Sequence, residues 1–499
     1  MGTLFNNARM TWQRLLLVAA VFALDVIASA GAAEPHVAAP DDFLGIWTGE
    51  ITAPNATTRI GLNFLRSEKG ISVRMDFPEM FLHNVNFGPA QIEQGTLRFP
   101  PFNLCLAIQG DELRGTFGLA GLPVQLRRGG EFSTAPLAPN LPPAPRPLWT
   151  TSLGAPAWAS PTAYDGFVYV ATIDGVVHAV RATDGTEIWK WSGPHPCYGA
   201  ALVTSTSLYL VDEQFDLVAL RRDDGALEWR IALYDKSLSG RAPPADETFN
   251  HRTTTPVLDQ HGNLYVGSAD GNVYSVRADT GAIRWRIVAG TKIFAPLTLV
   301  ADRLVVPGFN GDLITYDVQT QAQLSRVKLG GPLVSQPIIV GDRVVIGARD
   351  YMLYGIDAPS GTLAWRNSFW FSWVESTPTL ADGLLYVGGS DYRRISVLEP
   401  TSGRVVWATD VFGLSWGSPA VTDTTVFAGT CGQTIAGTVI KHTGGIVALD
   451  RANGHVRWRY SCPEISGAKF IGFAGSLVVV DGRVIGAGLD GVLVAFSAN

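Results

Sequence analysis

The feature that most constrains this chain is one phrase written many times, most legibly as "LYVGSADGNVYSVRADTGAIRWR" from Leu264 to Arg286. Apolar residues alternate along it, as they do in half-buried strands. Asp270-Gly271 and Thr280-Gly281 interrupt the alternation; Gly supplies the positive φ of a tight turn, and Asp bonds back to the backbone. The unit Gly-x-x-x-Trp recurs at Gly185–Trp189, Gly225–Trp229, Gly281–Trp285, Gly361–Trp365, Gly403–Trp407 and Gly454–Trp458. Spacing of about 40 residues marks a structural repeat. Two repeat lengths separate Trp285 from Trp365, so one copy is degenerate. There "NGDLITYDVQTQAQLSR" keeps the Asn310-Gly311 turn and Tyr316 but lacks the glycine and the tryptophan, whose slot falls near Ser325.

Each unit reads as four antiparallel strands. The first begins near an x-Pro step such as Ser160-Pro161, Thr255-Pro256, Ala295-Pro296 or Ser418-Pro419, and the fourth carries the tryptophan. A lone four-stranded sheet cannot bury both faces, whereas sheets packed radially can, which is the logic of a β-propeller. Trp149 precedes every complete unit, and the last unit stops at Asn499 before a tryptophan strand of its own. The N-terminal strand is therefore expected to complete the C-terminal blade. Slots at Trp149, Trp189, Trp229, Trp285, near Ser325, Trp365, Trp407 and Trp458 predict eight blades. The repeated tryptophans read as inter-blade packing, not as ligand contacts.

Upstream, residues 41–131 alternate without the repeat and predict a small antiparallel β-barrel or sandwich. Residues 132–147, "FSTAPLAPNLPPAPRP", read as a semi-rigid proline-rich linker, and 148–499 as the propeller. Arg9 and Arg14, the apolar run Leu15–Leu24 and small residues at Ala28, Ala30 and Ala33 predict a cleaved signal peptide over 1–33. The run is short for a membrane span, no lipoprotein cysteine follows it, and a periplasmic or secreted location is expected. A net charge of −6 leaves no basic excess for nucleic acid. Of the four cysteines, Cys431 and Cys462 are the pair best placed for a disulfide, lying in one repeat copy and its exit.

The repeat, "P-x-x-x-D-G-x-V-Y-V-G-S-x-D-G-x-x-Y-A-x-x-A-x-T-G-x-x-x-W" in outline, resembles the pyrroloquinoline-quinone (PQQ) enzyme repeat from about Leu148 to Asn499. That resemblance implies an all-β, eight-bladed propeller. It also implies one of two roles: a quinoprotein alcohol dehydrogenase holding PQQ and calcium on the ring axis, or a cofactor-free docking scaffold like the outer-membrane-protein assembly lipoprotein. The N-terminal "FLGIWTGEI" and "ELRGTFGLAGLPVQLRR" are similar to a β-rich module found ahead of some bacterial serine hydrolases, but no hydrolase domain follows.

A PQQ site needs cations for three carboxylates, an aromatic floor, a carboxylate on calcium and a catalytic base. Ahead of the first strands stand Trp158, Tyr198, His251, Arg252, Lys292, Trp373, Glu375, Trp416 and Lys469. In a quinoprotein reading Arg252 and Lys292 would meet the quinone carboxylates, Trp416 or Trp373 would form the floor, and Glu375 would take calcium. Asp350 or Asp391 would be the base, though both also read as turn aspartates. The adjacent cysteines of the alcohol dehydrogenases and a Cys-x-x-Cys-His haem motif are absent from the sequence, so electrons would have to pass to a separate cytochrome-type carrier. "GLSWG" at Gly413–Gly417 matches a nucleophile elbow, yet it lies where a first strand begins, which argues against Ser415 as a nucleophile. The two longest insertions, Tyr234–Arg252 and Thr430–Gly445, belong to loop types that emerge on one face of an up-and-down blade. The leading expectation is an exported scaffold that binds a protein or small ligand on that face; the alternative is the PQQ-dependent oxidoreductase.

Overall fold

The computed structural model describes residues 37–53, 56–78, 82–99, 103–118, 121–133, 141–234, 254–369, 372–390, 393–433, 443–463, 465 and 467–498. The segment read as a signal peptide, linker residues 134–140, and the stretches 235–253 and 434–442 of the two insertions lie outside the described residues, as do His251, Arg252 and Asp391. The chain divides into two compact units, Met1–Leu137 and Ala138–Asn499. Among the described residues no helix is long and apolar enough to cross a membrane.

The first unit is a closed barrel of eight strands in sequence order. Gly45–Ala53 pairs with both Ala56–Ser67 and Leu122–Arg128, which closes it. Inward positions alternate along the strands: Trp47 and Ile51, then Leu62 and Phe64, then Val73 and Met75 are all essentially fully buried. The Gly-x-Trp-x-Gly opening has a steric reason. Trp47 fills the interior and donates its indole N–H to the Phe43 carbonyl at 2.8 Å, Gly45 adopts φ +103°, and a side chain at Gly49 would collide with the Gln125 carbonyl.

The second unit is a ring of eight antiparallel sheets, blades 1 to 8 in chain order from Thr162–Tyr164, and in the first seven the strands follow the sequence from a first, innermost strand to a fourth, outermost one. The last sheet runs Val478–Val480, Arg483–Ala487, Val492–Ser497 and then Trp149–Ser152, so the two ends of the repeat share a blade. This is the closure expected from the sequence.

All eight tryptophan slots occupy one register. Trp189, Trp229, Trp285, Ser325, Trp365, Trp407, Trp458 and Trp149 pair with Ala179, Ala219, Ser275, Thr315, Gly355, Val397, Ala448 and Ala495. Opposite the indole the third strand carries a residue no larger than valine. On its own blade the indole meets the second-strand aromatic of the "LYVGS" phrase: Tyr169–Trp189, Tyr209–Trp229 and Tyr265–Trp285 have ring centroids 5.6–6.0 Å apart. Toward the next blade its N–H reaches a carbonyl: Trp149 to Ala182, Trp189 to Arg222, Trp229 to Ala278 and Trp365 to Pro400, at 2.8–3.0 Å. The next blade's glycine then lies against the indole. A Cβ on Gly185, Gly225, Gly281, Gly403 or Gly454 would run into Trp149, Trp189, Trp229, Trp365 or Trp407 respectively.

Gly-x-x-x-Trp is therefore half of two contacts, and the degenerate copy shows both halves failing. Gln321 stands at the glycine position with φ 62°. With Ser325 in the tryptophan slot, Gly361 of the following blade has only Val327 near its Cβ position, at 3.3 Å.

Near the axis a second set of bonds joins all eight first strands. Ser476 N–H donates to Ser160 Oγ, Thr162 to the Ala201 carbonyl, Thr255 to Ala200, Thr254 to Ala295, Thr298 to Pro337, Gln336 N–H to Thr377 Oγ1, Thr379 to Pro419, and Ser418 N–H to Ser476 Oγ. The x-Pro steps lie in this belt: Pro337 and Pro419 have no N–H to give, and their carbonyls take the hydroxyls.

Candidate functional site

One end of the ring carries the connectors between blades and the turns between second and third strands. Each connector spans two successive blades. Ile293 N–H bonds the Ser268 carbonyl of blade 3 while Phe309 N–H of blade 4 bonds the Lys292 carbonyl. Leu333 and Arg349, Val374 and Ser390, and Ala157 and Ile173 repeat the pattern. The described ends of both long insertions, Tyr234 and Thr254 of one and Gln433 and Thr443 of the other, lie here. The strand Thr425–Gln433 runs past its blade to pair with Phe470–Gly472 of the next connector, Cys431 opposite Gly472.

The connectors gather the sequence-predicted residues into two groups. In the first, Trp158 and Trp416 stack with centroids 5.9 Å apart and planes 17° off parallel, and Phe470 sets its edge against both at 5.8 and 5.3 Å. Three connectors that are distant in sequence supply these rings. Trp416 is 7% exposed and donates its N–H to Ser390 Oγ at 2.8 Å; Trp158 and Phe470 are half-buried, and the exposed Lys469 holds its ammonium 5.3 Å from the Phe470 ring. Leu414, Cys431, Ala474 and Leu489 close the group from behind.

In the second group Glu375 is buried and accepts both Nε and Nη2 of Arg349, at 2.8 and 2.7 Å. The same guanidinium lies 4.5 Å over Trp373 and 5.8 Å from Phe309. Low dielectric strengthens such a pair, and both partners must be present to offset its desolvation.

Tyr198 and Lys292 join neither group. Tyr198 is half-buried, and burial pushes its phenol up; Lys292 is exposed.

The described residues do not fit PQQ. Each candidate floor is covered, Trp416 by Trp158 and Trp373 by Arg349. The candidate calcium ligand Glu375 is held by a guanidinium, whose charge opposes a cation. No cluster of three or more metal-ligating side chains is present among the described residues. Asp350, a candidate base, accepts the Tyr354 hydroxyl and sits in its turn, with burial pushing its carboxyl up. Ser415 is buried at the entry to a first strand, and its hydroxyl has no hydrogen-bond partner among the described residues.

Cys431 and Cys462 form no disulfide, because Cys431 belongs to the aromatic group at the connector face while Cys462 packs with Phe427 and Phe496 between the last two blades. Arg349, Ser390 and Phe470 were not singled out from sequence. Arg349 carried a faint signal, as a cation immediately before a turn aspartate, and Phe470 as an aromatic beside Lys469.

Repeat, blade count and closure together define the class: an eight-bladed propeller of PQQ-type repeats with a β-barrel ahead of it. The family profile described as "Outer membrane protein assembly factor BamB" matches residues 144–292, 244–328, 269–372 and 309–499, and the chain belongs to that family. Among curated relatives, the assembly factor of Burkholderia pseudomallei is 23% identical over 282 residues, covering 53% of this chain and 68% of its own. That of Escherichia coli K12 is 23% identical over 302 residues, covering 50% and 76%. Two solved structures share the fold: a quinohemoprotein alcohol dehydrogenase from Pseudomonas putida HK5 (12% identity, 71% and 76% coverage, TM-score 0.54) and the computationally designed protein Ika8 (15%, 71% and 100%, 0.53).

Proposed function

We propose that this chain is an exported scaffold of the cell envelope whose propeller binds another protein through the connector face. The observation that carries the reading is the aromatic group of Trp158, Trp416 and Phe470 with Lys469 beside it, built from three connectors on one face of the ring. Half-buried aromatics rimmed by a cation are the composition of protein-binding anchors. Membership of the outer-membrane-protein assembly factor family and the signal-like segment 1–33 support placing that role outside the cytoplasm. The quinoprotein alternative draws support only from the fold it shares with dehydrogenases.

The test compares two faces of the intact protein. Lys292→Glu with Lys469→Glu reverses charge on the connector face; Asp342→Lys with Asp481→Lys does so on turns at the opposite end. The reading predicts that a protein co-isolating with the wild type is lost from the first variant and retained by the second. Loss from the second alone would contradict it.

A further inference from the structure

The repeat places an arginine one residue after the tryptophan slot in blades 2, 3, 4, 5 and 7, at Arg230, Arg286, Arg326, Arg366 and Arg459, and in blades 2 and 4 it binds the aspartate that opens the third strand of its own blade. Arg230 pairs with Val218 in register and binds Asp216 at 2.8 Å and Asp212 at 3.0 Å. Arg326 pairs with Ile314 and binds Asp312 at 2.6 Å. Asp216 and Asp312 hold the same position, the first residue of the third strand.

Blades 3 and 5 open their third strands on Asn272 and Met352, and blade 7 goes further. Arg459 pairs with Val447 in the same register, and the residue that opens its third strand is Gly445. A Cβ there would collide with the Tyr460 carbonyl, so the backbone excludes an aspartate. The sequence from Thr430 to Gly445, which stands in place of the usual Asp-Gly turn, contains no Asp or Glu.

A carboxylate does lie nearby, but it is already engaged. Asp410 receives Nε and Nη2 of Arg393 at 3.3 and 2.7 Å and the Phe412 N–H at 2.7 Å. Arg393 and Arg459 both face the Phe412 ring, at 5.9 and 5.3 Å. Arg459 is half-buried, its Nε is buried without a hydrogen bond, and its guanidinium makes no hydrogen bond to any described residue. Burial pushes its pKa down, against the opposing charge of Asp410 and with that of Arg393 adding to it. Two guanidiniums thus share one carboxylate in the groove between blades 6 and 7, beside the connector that leads to Trp416.

We propose that Arg459 receives a carboxylate from an acidic side chain of the partner protein, in the place that a third-strand aspartate fills in blades 2 and 4. The proposal rests on the partner-binding reading above and names that partner's chemistry. A guanidinium fork matches a carboxylate in two parallel hydrogen bonds, which a lysine cannot reproduce.

The probe is a fluorescent hexaglutamate peptide titrated into the intact protein at low salt and followed by anisotropy, with hexaglutamine as control. Hexaglutamate binding should weaken at least about tenfold in Arg459→Gln and partly in Arg459→Lys, stay within about twofold in Arg326→Gln, and be absent for hexaglutamine. The thermal midpoint of Arg459→Gln should stay near wild type, since no guanidinium hydrogen bond to a described residue is removed and the neighbouring Arg393 charge is relieved. Equal hexaglutamate binding by wild type and Arg459→Gln would overturn the proposal. So would co-isolation of the partner that is unaffected by Arg459→Gln. If no partner co-isolates through either face while the peptide still requires Arg459, the scaffold reading fails and the carboxylate preference of Arg459 stands.

Discussion

Trp149 and Gly185 meet across the joint that closes the ring. The indole N–H bonds the Ala182 carbonyl at 3.0 Å, and a Cβ on Gly185 would come within 2.5 Å of the Trp149 ring. Here the first strand of the propeller, placed in the last blade, is held by the first blade. Gly185→Ala should cost about 1–3 kcal/mol, from its φ of +74° and from the collision. Urea unfolding followed by tryptophan fluorescence measures it, and an unchanged midpoint would contradict the packing.

The degenerate blade predicts a gain. Gln321 occupies a left-handed conformation at φ 62°, where its neighbours keep glycine. Gln321→Gly should therefore be neutral to stabilising, by up to about 1 kcal/mol, unlike glycine substitutions in general. A lower thermal midpoint would refute this.

Arg349 and Glu375 are buried to 8% and 6% side-chain exposure. Removing one partner leaves an uncompensated charge, so Arg349→Ala should cost about 3–5 kcal/mol by denaturant unfolding. Arg349→Met with Glu375→Gln should recover much of that loss, and a double variant as unstable as the single would show that packing, not charge, dominates.

In the barrel, Glu112 accepts from the Gln125 amide and from Arg114 and Arg127, which together lower its carboxyl pKa to about 2. An ordinary glutamate in the unfolded chain titrates near about 4.3. The unfolded state therefore takes up the proton first as pH falls, and this stabilisation is complete above about 4.5 and lost toward about 2. Glu112→Gln should flatten the acid side of the stability profile and leave its pH 7–8 slope unchanged; an identical acid slope would refute the assignment.

Burial pushes the Cys462 thiol up to about 12, with Asp490 adding to it. Iodoacetamide at neutral pH should label Cys462 in the native protein far more slowly than after unfolding. Denaturation without reductant should expose four alkylatable thiols, and finding two would restore the disulfide that the structure lacks.

The architecture was legible because its signals are local: alternation, turn dipeptides and a tryptophan at constant spacing. Even so, the glycine of Gly-x-x-x-Trp reads locally as a turn residue, and only the assembled ring shows that Trp229 of the preceding blade also requires Gly281. The site was half legible. Trp158, Trp416 and Lys469 stood out as aromatics and a cation ahead of first strands, but the Trp158–Trp416 stack joins residues that meet only when the ring closes. Glu375 read as a metal carboxylate because its partner, Arg349, lies in the preceding blade. That Arg459 faces Gly445 where Arg230 and Arg326 face aspartates follows from register, which spacing alone did not reveal.

The central claim is that partner binding uses the connector face. Its most direct measurement is photo-crosslinking in living cells, with p-benzoylphenylalanine placed singly at Lys292, Lys469, Asp342 and Asp481. The account predicts protein adducts from Lys469 and Lys292, at the connector end, and none from Asp342 or Asp481. Adducts confined to Asp342 and Asp481, or adducts from no position, would contradict it.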